Sequence, residues 1–172
     1  MSVPKRSKRI REKAALTVAL DAKACEALRL GNQVCFALYS ASRVMTQAYQ
    51  PLLGPMGLTY PQYLAMLVLW EEDDLAVSEL GRRLMLDSGT LSPLLKKLEA
   101  KGWLRRERCV DDERSVRLRL TAAGRELQRR AADVPATMVC RSGLEIARIG
   151  KLRRELEELT AALRAATTDP AD

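Results

Sequence analysis

Three features between residues 76 and 121 predict a mainly α-helical fold with one small β-hairpin wing: two short helices, a tight turn between them, and a pair of strand-like runs behind. In the first helix Val77, Leu80 and Leu84 recur at helical spacing. After Met85 and Leu86, Asp87 and Ser88 are good N-caps for the second. That helix carries Leu91, Leu94, Leu95 and Leu98 as an apolar stripe, and Gly102 stops it. Residues 104–109 and 115–120 then flank the charged segment Val110-Asp-Asp-Glu-Arg114. In the second run Val116, Leu118 and Leu120 alternate with Ser115, Arg117 and Arg119, the two-residue period of a half-buried strand. Helix, turn, helix and basic hairpin together make a winged helix-turn-helix, an architecture that mostly reads duplex DNA.

The totals limit the function classes. A chain of 172 residues, 47% hydrophobic and 30% charged, can bury a core of its own. Its formal net charge is +7, and the excess lies mostly before Ala14, where Lys5, Arg6, Lys8, Arg9, Arg11 and Lys13 face Glu12 alone. A basic surface favours polyanions through counterion release and equally suits an anionic membrane, so charge alone does not choose. There is no histidine, which removes the commonest metal ligand and general base. The four cysteines form no closely spaced pair. Neither a zinc site nor a secreted disulfide framework is expected, and no metal or cofactor is needed. No apolar run approaches the roughly 20 residues of a membrane span, so no membrane partner is expected.

Residues 14–20 (Ala-Ala-Leu-Thr-Val-Ala-Leu) follow the basic tail and imitate a secretory leader. Their apolar core is of minimum length, contains Thr17 and runs directly into Asp21 and Lys23. Residues 1–29 therefore read as a flexible basic extension. Asn32 is placed to cap a helix running through Val34, Leu38, Ala41, Met45 and Ala48 to Tyr49. Pro51, Gly54, Pro55 and Gly57 make a loop, and Thr59-Tyr-Pro-Gln62 has the form of a capping box with proline in the first turn. The helix it opens, 60–71, is apolar almost all round and belongs at the centre of the domain. Beyond the hairpin, Thr121 caps a helix through Gly124, Leu127 and Ala131 to Val134, where Pro135 interrupts. A last helix repeats Leu144, Ile149, Leu152, Leu156, Leu159 and Leu163 among Glu and Arg. These terminal helices leave an apolar stripe uncovered, and a second copy of the chain is the economical partner.

On the second helix of the reading module, Ser88, Thr90, Ser92, Lys96 and Lys97 share the polar side and suit bases and phosphates in a major groove. Pro93 is awkward there, because it lacks an amide and crowds the carbonyl of Gly89. At the hairpin tip Arg114 suits a minor groove, with Asp112 placed to orient it by a charge-assisted hydrogen bond. Cys35 falls in the first turn of the helix begun at Asn32, where the positive helix end favours a thiolate. Most cysteines on an apolar helix are small core residues, so the position alone leaves both readings open.

Five segments carry a family resemblance: Asn32-Gln-Val-Cys-Phe-Ala-Leu-Tyr-Ser40, Leu58-Thr-Tyr-Pro-Gln-Tyr63, Leu67-Val-Leu-Trp-Glu71, Leu86-Asp-Ser-Gly-Thr-Leu-Ser-Pro-Leu-Leu-Lys-Lys-Leu98 and Asp111-Asp-Glu-Arg114. They resemble the MarR family, and within it the OhrR branch of organic-hydroperoxide-sensing repressors, across residues 30–165. The resemblance implies a cytoplasmic homodimer on double-stranded operator DNA that is released when a cysteine is oxidised by organic hydroperoxide. By position it makes Cys35 the peroxide-reactive cysteine, with Tyr49 and Tyr60 as the tyrosines whose hydroxyls hydrogen-bond its thiolate. Cys140 sits where the branch places a resolving cysteine from the other subunit, so the chain resembles the two-cysteine type. The chemistry then runs from thiolate through sulfenic acid to an intersubunit disulfide.

Phe36, Met45, Tyr63, Met66 and Trp70 are candidates for an apolar pocket selecting organic hydroperoxides, although each serves equally well as core. Cys25 and Cys109 depart from a two-cysteine pattern. The expected organisation is a 1–29 extension, a 30–166 domain and a 167–172 tail. Within that domain 30–50 and 122–166 are dimerisation helices and 58–121 is the DNA-binding core. Two alternatives stand beside the redox repressor: a regulator of the same family released by a non-covalent small aromatic ligand, and a thiol peroxidase using Cys35. The first leaves Cys140 without a role, and the second leaves the reading module without one.

Overall fold

The computed structural model describes residues 25–108 and 116–168. The basic tail before residue 25, Cys109, and the hairpin tip with Asp112 and Arg114 lie outside them. The chain divides into two compact units, residues 1–47 and 48–172.

In the N-terminal unit a 3-10 turn, Leu30–Asn32, precedes the long helix α1, Val34–Leu53, which runs on into the second unit. Asn32 does not cap it. Its side-chain amide donates to the Glu26 carbonyl at 2.9 Å, while the Gln33 carbonyl accepts from the Phe36 and Ala37 amides. The helix therefore starts one residue later than the sequence suggests, and Cys35 is its second residue. It also continues through Pro51 to Leu53, past the predicted end at Tyr49. A 3-10 turn, Gly54–Met56, follows and ends at Gly57 in the left-handed region (φ 73°), where glycine carries no Cβ penalty.

Helix α2, Tyr60–Glu71, begins as expected: the Gln62 side chain accepts from the Thr59 amide at 3.1 Å, with Pro61 in the first turn. It is the centre of the second unit, with Gln62, Tyr63, Ala65, Met66 and Leu69 buried. The helix packs against α3 (Val77–Leu84), α4 (Ser88–Ala100), α5 (Ala122–Ala131) and strand β3 (Val116–Leu120). The helix-turn-helix is α3 and α4. Between them the chain turns so tightly that a Cβ on Gly81 would lie 3.1 Å from the Leu86 carbonyl oxygen and 3.2 Å from a Leu91 methyl. Leu80, Leu91, Leu95 and Leu98 close the core there, each worth roughly 1.5–3 kcal/mol when fully buried. Pro93 does not split α4; the helix is continuous from Ser88 to Ala100, and Pro93 lies on its exposed side.

The wing is a three-stranded antiparallel sheet in the order β1-β3-β2, where the sequence predicted two strands. Strand β1 is Leu75–Ala76, too short for any periodicity to reveal, and pairs Leu75 with Leu118. Strand β2, Leu104–Arg108, pairs with β3 from Leu104↔Leu120 to Arg108↔Val116. The alternation on β3 emerges as read, with Leu118 and Leu120 buried and Arg117 and Arg119 on the opposite face. The interruption expected at Pro135 falls slightly earlier: α5 ends at Ala131, and Pro135 sits in the first turn of a new helix, α6, Val134–Ser142. Gly143 ends α6 in the left-handed region, and α7 runs from Ile146 to Thr168, leaving Leu144 outside it. Among the described residues no single helix is long and apolar enough to cross a membrane.

Candidate functional site

The reading helix is set by its first turn. Asp87 accepts from the Thr90 amide at 2.9 Å and from the Thr90 hydroxyl at 2.8 Å. Those two donors hold the Asp87 carboxyl below its usual range. The buried leucines of α4 fix its inner face, so Ser88, Thr90, Ser92, Lys96 and Lys97 are all exposed together on the other side. The Thr90 hydroxyl is engaged by the cap, and among the described residues Ser88, Ser92 and the two lysines are the remaining polar groups of the predicted set on that face. Lys96 and Lys97 form no ion pair among the described residues.

The wing is anchored by two carboxylates that pattern reading did not single out. Asp73 accepts from the amides of Asp74 and Leu120, each at 2.8 Å, and from the Arg125 guanidinium at 2.6 Å. Partial burial pulls its pKa upward, but the Leu120 and Asp74 amides and Arg125 outweigh that and leave it below the usual carboxylate range. Asp74 receives Arg117 Nε at 2.7 Å and Arg119 through Nε and Nη2 at 3.0 Å, and its own carbonyl accepts from Arg117. Hydrogen bonds from Arg119 and Arg117 lower the Asp74 pKa to about 2. The available signal was the acidic run Glu71–Asp74 facing the arginine alternation of β3, but local spacing does not say that the two meet. A further tie holds α2 to α5: Trp70 Nε1 donates to the Gly124 carbonyl at 3.0 Å.

Of the predicted sensor residues, Cys35 lies in the N-terminal unit and is exposed at the amino end of α1, its sulfur 4.0 Å from Gln33 Oε1. Phe36 and Met45 are in the same unit, 37% and 50% exposed, with the Phe36 ring 6.5 Å from that of Tyr39. In the second unit Tyr49, Tyr60 and Tyr63 form one aromatic cluster. Tyr49 is 4.8 Å from Tyr60 and 5.8 Å from Tyr63, and Tyr63 is 6.2 Å from Trp70. Burial raises the pKa of Tyr60, and burial assisted by Tyr60 raises that of Tyr49. Burial, with Tyr49 and Tyr60 adding to it, pushes Tyr63 up to about 12. All three hydroxyls therefore stay protonated near neutral pH and remain hydrogen-bond donors. Met66 is fully buried, a core residue in this chain. Cys140 is exposed on α6, and its neighbour Arg141 donates to the Ala48 carbonyl on α1 at 3.3 Å. Among the described residues no three His, Cys, Asp or Glu side chains gather as a metal-ligand set.

Comparison with known proteins places this geometry in a family. Residues 58–116 match the model of the MarR family. The chain is 50% identical over 112 residues to the organic hydroperoxide resistance transcriptional regulator of Bacillus subtilis (strain 168), an overlap covering 65% of this chain and 76% of the relative. The chain belongs to the MarR family. As a member of the MarR family it is a DNA-binding transcriptional regulator and not an enzyme. Its fold is similar to that of AbfR from Staphylococcus epidermidis, solved in its reduced form bound to DNA. That match has a TM-score of 0.70 at 37% identity and covers 84% of this MarR-family chain and 99% of AbfR. The disulfide form of AbfR matches with a TM-score of 0.57 at 36% identity, over 81% and 98% of the two chains.

Proposed function

We propose that this chain is a redox-sensing repressor that binds operator DNA as a homodimer and lets go when organic hydroperoxide oxidises Cys35. The observation that carries the reading is an exposed thiol at the amino end of α1, in a chain 50% identical over 112 residues to a hydroperoxide resistance regulator. In the first step the Cys35 thiolate attacks the peroxide, whose O–O bond breaks. The thiolate becomes a sulfenic acid and the peroxide leaves, with one proton, as the alcohol. In the second, the thiol of Cys140 from the other subunit attacks that sulfenic sulfur, giving a disulfide and water. The protonated hydroxyls of Tyr49 and Tyr60 are the donors suited to hold the thiolate, and Phe36, Met45, Tyr63 and Trp70 are the apolar groups suited to an organic peroxide tail.

Dimerisation is supported by the apolar surface on the two long helices, Val34 and Val44 on α1 and Ile146, Leu152 and Leu163 on α7, each more than two-fifths exposed. DNA contact is assigned to Ser88, Ser92, Lys96 and Lys97 on α4, with Thr90 shaping its first turn and Asp112 and Arg114 at the wing tip. A disulfide brings its α-carbons within about 7 Å, so any wider reduced spacing forces the helices to move and re-spaces the two heads. Operator half-sites repeat with the helical turn, and re-spaced heads then fit them less well.

The test is duplex binding by the native chain and by Cys35→Ser, each with and without cumene hydroperoxide. The duplex is one that the native protein has selected from a random pool. The proposal expects release of the native protein only, and release of both alike would overturn it. A disulfide-linked dimer on non-reducing gels that persists in Cys140→Ser would assign the resolving role to another thiol. Peroxide consumption at many equivalents per thiol would favour a peroxidase.

A further inference from the structure

Helix α2 has one functional candidate at each end. Twelve residues span about 18 Å, and the buried face of α2 lets it act as one body. At its amino end Tyr60 is stacked with Tyr49 and close to Tyr63. Just past its carboxyl end Asp73 and Asp74 hold three arginines, Arg117 and Arg119 from β3 and Arg125 from α5, together with the backbone amide of Leu120. Asp74 does this from the left-handed region (φ 59°), a backbone state that a non-glycine residue keeps only when its surroundings hold it there. Ion pairs this exposed add little to global stability. What the cluster supplies is geometry: it fixes the base of the wing to the end of α2, in parallel with the Trp70–Gly124 hydrogen bond.

We propose that Asp73 and Asp74 are positioning residues that join the wing to α2, so that a disturbance at the Tyr49–Tyr60 end is delivered to the DNA-binding surface. This rests on the regulator reading above and adds to it the joint through which release passes. A coupling claim needs coupling evidence, so the test is a double-mutant cycle on the full chain, read as affinity for the selected duplex. The single variants are Tyr60→Leu and Asp74→Asn, combined in the double.

Sites about 18 Å apart with no shared partner ordinarily act independently. The proposal expects otherwise. Tyr60→Leu weakens binding on the order of tenfold in the native background and by a clearly smaller factor once Asp74→Asn has removed the Arg117 and Arg119 ion pairs, the Asp73 contacts remaining. Arg119→Gln removes one of the two Asp74 ion pairs from the strand side, along with its contact to Glu107, and reduces the coupling in the same direction, which guards against a folding defect peculiar to one variant. Cumene hydroperoxide replaces Tyr60→Leu in a second arm, where the ratio of reduced to oxidised affinity shrinks towards one in Asp74→Asn and Arg119→Gln. Effects that simply multiply in both arms would overturn the joint. A native chain that selects no duplex would overturn the regulator reading, and the joint with it. A native chain that binds DNA but ignores hydroperoxide would remove only the peroxide signal, leaving the first arm to decide.

Discussion

Gly124 is the position where the smallest change should do the most damage. A Cβ there would lie 2.0 Å from the Trp103 carbonyl oxygen, 3.0 Å from its carbon and 3.2 Å from a Leu120 methyl. Carbon and oxygen normally approach no closer than about 3.3 Å, so α5 must retreat from the wing by roughly 1 Å. The Trp103 oxygen cannot yield, because it accepts from the Thr121 amide at 3.1 Å in the same turn. Retreat strains two further bonds at 3.0 Å, Trp70 Nε1 to the Gly124 carbonyl and the Gly124 amide to the Thr121 hydroxyl. Overpacking costs about 1–3 kcal/mol, the Trp70 bond about 1 and the cap about 1. Alanine returns about 1 kcal/mol of helix propensity over glycine. The balance for Gly124→Ala is a loss of roughly 2–4 kcal/mol, or about 5–15 °C in Tm for a domain of this size. The assay is thermal unfolding followed by far-ultraviolet circular dichroism, with Gly54→Ala alongside because nothing lies within 4 Å of a Cβ there. A Gly124→Ala curve superimposed on both native and Gly54→Ala would refute the reasoning.

Other consequences are open to measurement. Lys96→Ala and Lys97→Ala should each lower the slope of log affinity against log salt by about 1, evenly across duplex sequences; an unchanged slope would remove that lysine from the phosphate contacts. Leu152→Asp with Leu163→Asp should leave the helical content intact while sedimentation shifts from dimer to monomer and duplex binding is lost. A dimer surviving both changes would place the interface elsewhere. Because the folded pKa of Asp74 lies near 2, below its ordinary 3.8, its bridges help fully above about pH 4 and fade as pH falls towards 2. Asp74→Asn should flatten that part of the acid limb of wing protection in hydrogen exchange, and an unaltered limb would count against the bridges.

The sequence made some parts of this molecule legible and hid others for physical reasons. The α4 leucines, the Asp87 cap, the Thr59–Gln62 opening of α2 and the alternation of β3 were readable because each is a pattern within a few residues of itself. The exact start of α1 was not, because Asn32 spends its amide on Glu26, a bond that competes with capping and leaves no periodic trace. Of the two prolines that suggested a break, Pro51 misled, since it lies inside α1, while at Pro135 the break is present two residues earlier and the proline opens the next helix. The Asp73–Asp74 cluster was invisible for a stronger reason: its partners are more than forty residues away, and only the fold of the wing brings them in. What the sequence said of Cys35, Tyr49, Tyr60 and Cys140 came from resemblance, since spacing alone leaves a helical cysteine as core or as chemistry.

The family model matches the reading head, while most residues proposed for the switch lie outside the stretch it covers. The matched residues 58–116 contain Tyr60, α3, α4 and strands β1 and β2, but not Cys35, Tyr49 or Cys140. If α4 and the wing set the affinity for DNA, as proposed, a reading head can be kept while its signal changes. Release needs a group whose interaction energy differs between the bound and released forms. An exposed thiol fulfils that only if its oxidation alters the geometry of the heads. Two thiols on different helices do so by demanding one short distance, and a lone sulfenic acid makes no such demand. On the proposed reading, then, Cys140 rather than Cys35 would set how far the heads move, while Cys35 would set whether the chain responds at all.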